Sequence, residues 1–269
     1  MIKWPKSCPV RAWRFVGRGL AVASDWSAEL LRLSLFSRTP LSVSDADWLA
    51  LTGQNTSELR QIFPGGAVYG GKVDSNRLQI AANSGRIDVI MAPKETDALD
   101  ALKLPTIGSW VSSRDRFVEQ TRRWLASSQM TFHRIAVGAS LVFTTGSVLE
   151  SITELKKYLY SVTGNIDEAS EFSLRINWPQ TSRVLNGLRL NRITQWNAAQ
   201  LTVQTFPMVP SAIGAPPIAA HSNLYVVKLE VDHSTDEKRT DSFQSSELFP
   251  IYEELMDLAS ENVLKGERP

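Results

Sequence analysis

The chain has 269 residues, of which 43% are apolar and 21% charged, and its formal net charge is +1. These values are typical of a globular protein with a substantial core, so they argue against a disordered chain and give no reason to expect an acidic partner from total charge alone. A single cysteine, Cys8, excludes an intrachain disulfide and a thiolate metal cage, and it favours a reducing, cytoplasmic setting.

The N-terminus is basic, but the apolar run that follows it, Gly19 to Ser24, is too short for the core of a signal peptide. The sequence contains no run of 18 or more apolar residues, which is the length that a membrane-spanning helix needs. We therefore expect a cytoplasmic protein that does not enter a membrane.

The first third of the chain is predicted to be mainly β, with short helices. A short helix is expected at Asp45 to Leu51, with Ser44 as its N-cap. Between Ala67 and Met91 apolar residues alternate with others, and Asn83-Ser84-Gly85 interrupts the pattern as a turn would. This predicts a β-hairpin, preceded by a third strand at Ala67 to Val73.

A polar segment with a proline at each end, Pro93 to Pro105, is the best internal boundary in the sequence. It divides the chain into residues 1–104, mainly β, and residues 105–269, α+β. One continuous domain remains the alternative at this stage.

Two helices and one strand are predicted next. Phe117, Thr121 and Trp124 recur at helical spacing, which predicts a helix from Arg114 to Ser127 capped by Ser113. His133 to Phe143 has the pattern of a strand. A second helix is expected from Val148 to Tyr160, with Ser147 as its cap.

The last third combines strands, a long loop and a closing helix. Phe172 to Trp178 alternates as a strand does, Asn186-Gly187 predicts a type I′ hairpin turn, and Asn223 to Val231 is the last predicted strand. Phe206 to Ser222 contains four prolines and is predicted to be a loop. Phe243 to Val263 has the pattern of an amphipathic helix. This order favours an α+β fold, with antiparallel sheet, packed helices and a C-terminal amphipathic helix.

The motifs that would support catalysis are weak. Gly66 to Val73 has the glycine and lysine spacing of a P-loop, but Val73 replaces the hydroxyl residue and a strand, not a helix, is expected there. Asp232 and His233, followed by Asp236, could form a metal or acid–base site, although a solvated turn explains the same residues. We therefore predict no catalytic residue, no metal ligand and no cofactor.

Charge is distributed unevenly along the sequence. No Asp or Glu occurs from Phe172 to Leu229, whereas the last 40 residues contain eleven acidic and four basic residues. Arginines, asparagines and tryptophans in the acid-free region could contact a protein with an acidic surface or single-stranded nucleic acid, and an ordinary solvated sheet face is the alternative. The candidate binding residues are Arg175, Asn177, Arg183, Arg189, Asn191, Arg192 and Trp196.

Two segments resemble a prokaryotic family. His133 to Gly138 is similar to the strand that follows the central helix of that family, and Leu224 to Asp232 with the closing helix is similar to its C-terminal part. The family consists of proteins of roughly 250 residues that have a sporadic distribution and no assigned function. The resemblance covers about residues 110–269 and implies a gene that is mobile or associated with defence, but it implies no catalytic residue.

The sequence therefore favours a non-enzymatic binding or assembly subunit of a prokaryotic, defence-associated multiprotein system, with a protein as its partner. A nucleic-acid-binding component that uses an Arg- and Trp-rich sheet face is the first alternative. An enzyme with a dispersed site around Asp232, His233 and Asp236 is the second alternative.

Overall fold

The computed structural model describes residues 26–94, 104–205 and 220–267, and the side chains of residues 203–205 and 220–222 lie outside this description. The described strands are β1 (Ser27–Phe36), β2 (Leu59–Phe63), β3 (Gly66–Val73), β4 (Asn76–Asn83), β5 (Arg86–Pro93), β6 (Gly108–Ser109), β7 (Arg134–Thr145), β8 (Phe172–Asn177), β9 (Gln180–Thr181), β10 (Arg189–Thr205) and β11 (Ala220–Thr235). The described helices are α1 (Asp45–Thr52), α2 (Trp110–Ser127), α3 (Val148–Lys156) and α4 (Ser245–Lys265).

All the strands belong to one antiparallel sheet, in the order β2-β3-β4-β5-β1-β7-β11-β10-β8, while β6 pairs with β1 and β9 pairs with β10. Strand β1 pairs with β5 on one side and with β7 on the other. It therefore joins the hairpins of the first third to the strands of the remainder. The predicted α+β fold with a C-terminal helix is confirmed.

The helices pack against one face of this sheet. We call this side the helix face; it carries Leu33, Val137 and Leu229, all buried. The opposite side, which we call the open face, carries Arg32, Gly138 and Lys228. The buried apolar side chains of all four helices belong to the same core cluster as Leu33, Val137 and Leu229.

An aromatic cluster fills the core beneath β10 and β11. Trp26 contacts Phe143, Tyr158 and Trp196 edge-to-face, at centroid distances of 4.7, 5.6 and 6.2 Å. Tyr158 stacks on Trp196 at 5.5 Å. Such aromatic pairs contribute beyond the area that they bury, so this cluster fixes the sheet against the segment after α3.

Most predicted elements are confirmed. Ser44 begins α1 through a capping box with Asp47, Ser147 caps α3, and the hairpin of β4 and β5 turns at the predicted residues. The five apolar residues expected inside the closing helix are buried in α4: Leu248, Ile251, Leu255, Leu258 and Val263.

Several boundaries differ from the prediction. Helix α3 ends at Lys156 instead of Tyr160. At Asn186-Gly187 only the glycine has a positive φ, of 75°, whereas a type I′ turn requires it at both residues. The strands that meet near this turn are β9 and β10, through Thr181 and Arg189.

The expected Pro-rich loop is shorter than predicted at its C-terminal end. Residues 220–222 already belong to β11, which pairs with β10 from Leu190–Thr235 to Thr205–Ala220. Residues 206–219, the basic N-terminus with Cys8 and most of the predicted boundary at 95–103 lie outside the described residues.

Helix α2 begins four residues earlier than predicted. Its N-cap is Ser109 and not Ser113. The Ser109 side chain accepts a hydrogen bond from the backbone N–H of Ser112. Ser113 is instead buried inside the helix, and its hydroxyl has no hydrogen-bond partner among the residues that the structure describes. The aromatic side chain of Trp110, buried at the first helical position, extends the helix towards its N-terminus.

We expect Ser109→Ala to lower the free energy of unfolding by about 1 kcal/mol, because an N-terminal N–H of α2 loses its acceptor. Ser113→Ala is the matched control and should not lower it, because that buried hydroxyl makes no hydrogen bond with the described residues that the change could remove. Urea unfolding monitored by tryptophan fluorescence measures both. A larger effect at Ser113 would contradict the observed cap.

Within the described residues, no helix is both long enough and apolar enough to cross a membrane.

Candidate interaction surface

Strand β8 lies at one edge of the sheet, and among the described strands it pairs only with β10. The backbone N–H of Trp178, which follows the strand, donates to the carbonyl oxygen of Arg192 on β10 at 3.0 Å. In an antiparallel pair, successive residues direct their backbone groups alternately to either side. The N–H and C=O groups of Ser173, Arg175 and Asn177 therefore point away from β10, out of the sheet.

Two of the predicted binding residues, Arg175 and Asn177, lie on this edge and are exposed on the open face. The Asn177 side chain donates to Oδ1 of Asn191 at 3.2 Å and accepts from the backbone N–H of Arg192 at 3.0 Å. These bonds hold Asn177 and Asn191 in fixed orientations. Arg175 lies opposite Gln195 and has no carboxylate within 4 Å among the described residues.

Further along the open face, neutral polar side chains continue the same surface. The Gln195 carboxamide lies 3.5 Å from Oγ of Ser173 and 3.4 Å from Oδ1 of Asn197. Glu171, immediately before β8, is exposed and follows the same alternation as Ser173 and Arg175. We define the β8 edge as Glu171, Ser173, Arg175 and Asn177 with their outward backbone groups.

Arg183 and Arg189 are exposed but lie away from the β8 edge. Arg183 forms an ion pair of 3.5 Å with Glu261, and its backbone N–H donates to the Glu254 carboxylate at 2.7 Å. Arg189 lines an open depression of about 290 Å³ at the end of the sheet, together with Asp236 and other turn residues. The structure therefore does not unite the two with Arg175.

Arg192 and Trp196 require a correction, because both side chains lie on the helix face and are buried, with exposures of 2% and 0%. The alternation of β10 sends Asn191 to the open face and Arg192 to the helix face. Trp196 belongs to the aromatic core cluster and donates to Thr194 at 3.1 Å. A base cannot stack on Trp196 unless the core opens.

The Arg192 guanidinium is surrounded by neutral acceptors. It donates to Oε1 of Gln180 at 2.9 Å and is 3.4 Å from Oδ1 of Asn262 on α4, while its Nε has no partner in the described part of the chain. Burial lowers the pKa of Arg192, and the more distant Glu261 partly opposes this effect. The arrangement tethers α4 to β10, which is a structural role.

Asp232, His233 and Asp236 do not form a common site. Asp232 lies on the open face, 3.8 Å from Arg32, whereas its neighbour His233 lies on the helix face with 0% exposure. The Nδ1 atom of His233 lies 3.4 Å from the Leu255 carbonyl oxygen. Burial and, to a smaller extent, the charge of Arg192 lower the pKa of His233 to about 3. Across residues 26–94, 104–205 and 220–267, no group of three His, Cys, Asp or Glu side chains is placed to hold a metal ion.

Sequence reasoning missed Glu171 and the position of β8 at an edge. The signal for Glu171 was present, because the residue immediately precedes both the acid-free region and the alternating strand, two residues before Ser173. The edge position depends on the strand order of the whole sheet, which local patterns do not contain.

Comparison with known proteins identified no relative of this chain. No protein-family model, no curated protein and no solved structure matches the chain.

Proposed function

We propose that the chain is a non-enzymatic binding or assembly subunit, which joins a protein partner by strand addition at the β8 edge. The observation that carries the proposal is the row of outward backbone N–H and C=O groups at Ser173, Arg175 and Asn177. A partner strand that pairs with them would satisfy these groups, and alternate side chains would provide specificity.

The composition of β8 supports this use. Natural proteins protect exposed edges with very short strands, prolines, bulges, charged side chains or a covering helix or loop. Strand β8 contains no proline, pairs with β10 in continuous register and carries one charge, Arg175, which points to the open face. The side chains of Phe172 and Leu174 lie on the helix face and pack against the core. This packing holds the strand in an extended conformation without a partner.

The resemblance of residues 110–269 to a sporadically distributed prokaryotic family supports a cytoplasmic, defence-associated multiprotein system as the setting. The fixed Asn177–Asn191 pair, and Arg175 with no ion pair to any described residue, suit a polar partner strand that presents a carboxylate to the open face. The nucleic-acid alternative stays a prediction for Arg175 and Arg189.

We expect Arg175→Pro to abolish capture of the partner by the affinity-tagged chain in its native cells, measured by quantitative mass spectrometry. Proline removes the outward N–H of residue 175 and leaves the hydrogen bonds between β8 and β10 intact. Arg175→Ala should weaken capture to a smaller extent, because it retains the backbone donor.

Two controls make this experiment decisive. Arg123→Ala replaces an exposed arginine on α2 and should leave capture unchanged. Thermal unfolding of each variant verifies that the fold is intact. Equal capture by the wild-type chain and a folded Arg175→Pro variant would contradict strand addition at β8.

A further inference from the structure

The β8 edge has a charge pattern that is complementary to itself. Glu171 and Arg175 are both exposed and four residues apart, with Ser173 midway between them. If the alternation of β8 is continued by one residue before Phe172, Glu171 falls on the open face with Arg175. Neither forms an ion pair within the described part of the chain. Between them only Phe172 and Leu174 point to the helix face, where both are half-buried.

A two-fold axis through Ser173 would place the opposite charges of two copies next to each other. In an antiparallel arrangement of two β8 strands centred on Ser173, Glu171 lies opposite Arg175 of the second copy, and Arg175 lies opposite the second Glu171. Because these residues direct their backbone groups outward, each such pair also exchanges backbone hydrogen bonds. Phe172 lies opposite Leu174 of the second copy, on the helix face.

Neighbouring registers lack this complementarity. Centring the pair on Arg175 places two guanidinium groups opposite each other, which is unfavourable. Centring it on Leu174 places Glu171 opposite Asn177 and Arg175 opposite Ser173, so that no opposite charges meet. Isologous contacts need one surface that is complementary to itself, and only the arrangement centred on Ser173 provides this for both charges.

We infer that the partner at the β8 edge is a second copy of this chain, joined by antiparallel β8–β8 pairing centred on Ser173. This inference rests on the proposed strand addition at β8. The sheet of one molecule then continues into that of the other. The interface is small, so we expect a reversible dimer whose population depends on concentration.

The test is sedimentation velocity of the purified full chain over a concentration series. Glu171→Arg alone and Arg175→Glu alone should each weaken dimerisation about tenfold or more, because like charges then face each other in both symmetric pairs. The double variant E171R/R175E restores opposite charges and should dimerise as the wild type does. Arg123→Glu, on α2, should have no effect.

Mixing the two single variants gives the most specific readout. The chain with Arg at both positions should form heterodimers with the chain that has Glu at both, detected by a fluorescent label on one of them. A monomeric wild-type chain, or single variants that dimerise as well as the wild type, would overturn the inference. If the chain is monomeric but Arg175→Pro still abolishes capture of another protein, the proposed strand addition stands and only the second copy is rejected.

Discussion

Replacing Gly266 with alanine is expected to lower the free energy of unfolding by about 4 kcal/mol, through backbone strain and overpacking together. Gly266 ends α4 with φ of 77° and ψ of −150°, a region that is essentially restricted to glycine. A Cβ atom there would overlap the backbone of Tyr158 at its carbonyl group. That carbonyl oxygen accepts a hydrogen bond from the backbone N–H of Glu267, and the Tyr158 ring stacks on Trp196.

Gly53→Ala is the matched control. Gly53 also ends a helix with φ of 77°, but its ψ of 3° lies in the ordinary left-handed region, and a Cβ atom at this position meets no described residue within 4 Å. We therefore expect Gly53→Ala to lower the free energy of unfolding by about 1–2 kcal/mol, which is the cost of the left-handed conformation alone. Urea unfolding of both variants measures the difference, and equal losses would show that the contact with Tyr158 does not constrain the fold.

The C-terminal end of α4 matters because it holds the segment that supports β10. The Glu267 carboxylate accepts hydrogen bonds from the backbone N–H and from the hydroxyl of Ser161, the latter at 2.7 Å. The backbone N–H of Glu267 donates to the Tyr158 carbonyl oxygen at 3.0 Å. Since Tyr158 packs on Trp196 of β10, and β10 pairs with β8, weakening this end should also loosen the β8 edge.

Elements with a strong periodic pattern were predictable. Helix α4 has apolar residues at helical spacing throughout, and the β4–β5 hairpin alternates on both sides of a turn with suitable residues. In both cases local propensity and the final environment agree, which is the condition under which sequence patterns are reliable.

Strands β1 and β10 were not predictable in the same way. Strand β1 contains the residues Ala-Glu-Leu-Leu-Arg, which have high helix propensity, and a register shift between Ala28 and Leu30 breaks its alternation. Strand β10 places Arg192 and Thr194 on its buried side, so apolar residues do not alternate along it. Tertiary pairing with β7 and β11 overrides the local signal in each case.

The candidate site was partly predictable for a related reason. Alternation in β8 placed Arg175 and Asn177 on a common exposed face, as the structure shows. The same rule would have placed the side chains of Asn191 and Arg192 on opposite faces of β10. It would also have placed those of Asp232 and His233 on opposite faces of β11. The burial of Arg192 and His233 depends on α4, which comes from a distant part of the sequence.

The buried imidazole of His233 should make the stability of the protein depend on pH. In the folded protein burial and the nearby Arg192 charge lower its pKa to about 3, whereas an unfolded histidine titrates near its ordinary value of 6.5. Below pH 6.5 the unfolded chain therefore binds a proton that the folded chain does not. The contribution of His233 to stability is complete above pH 6.5 and is lost as the pH falls towards 3, by about 1.4 kcal/mol per pH unit.

His233→Gln should remove this loss. From pH 8 to pH 4.5 the wild-type protein should lose about 3 kcal/mol more than the variant, because the two share every other titrating group, including His133. Denaturant unfolding at a series of pH values measures the difference between the two curves, and the value at pH 8 corrects for the packing change itself. If the unfolding free energies of the two proteins changed with pH in parallel, water or an acidic group would have to reach the imidazole. The contact between α4 and β11 would then be looser than the 0% exposure of His233 indicates.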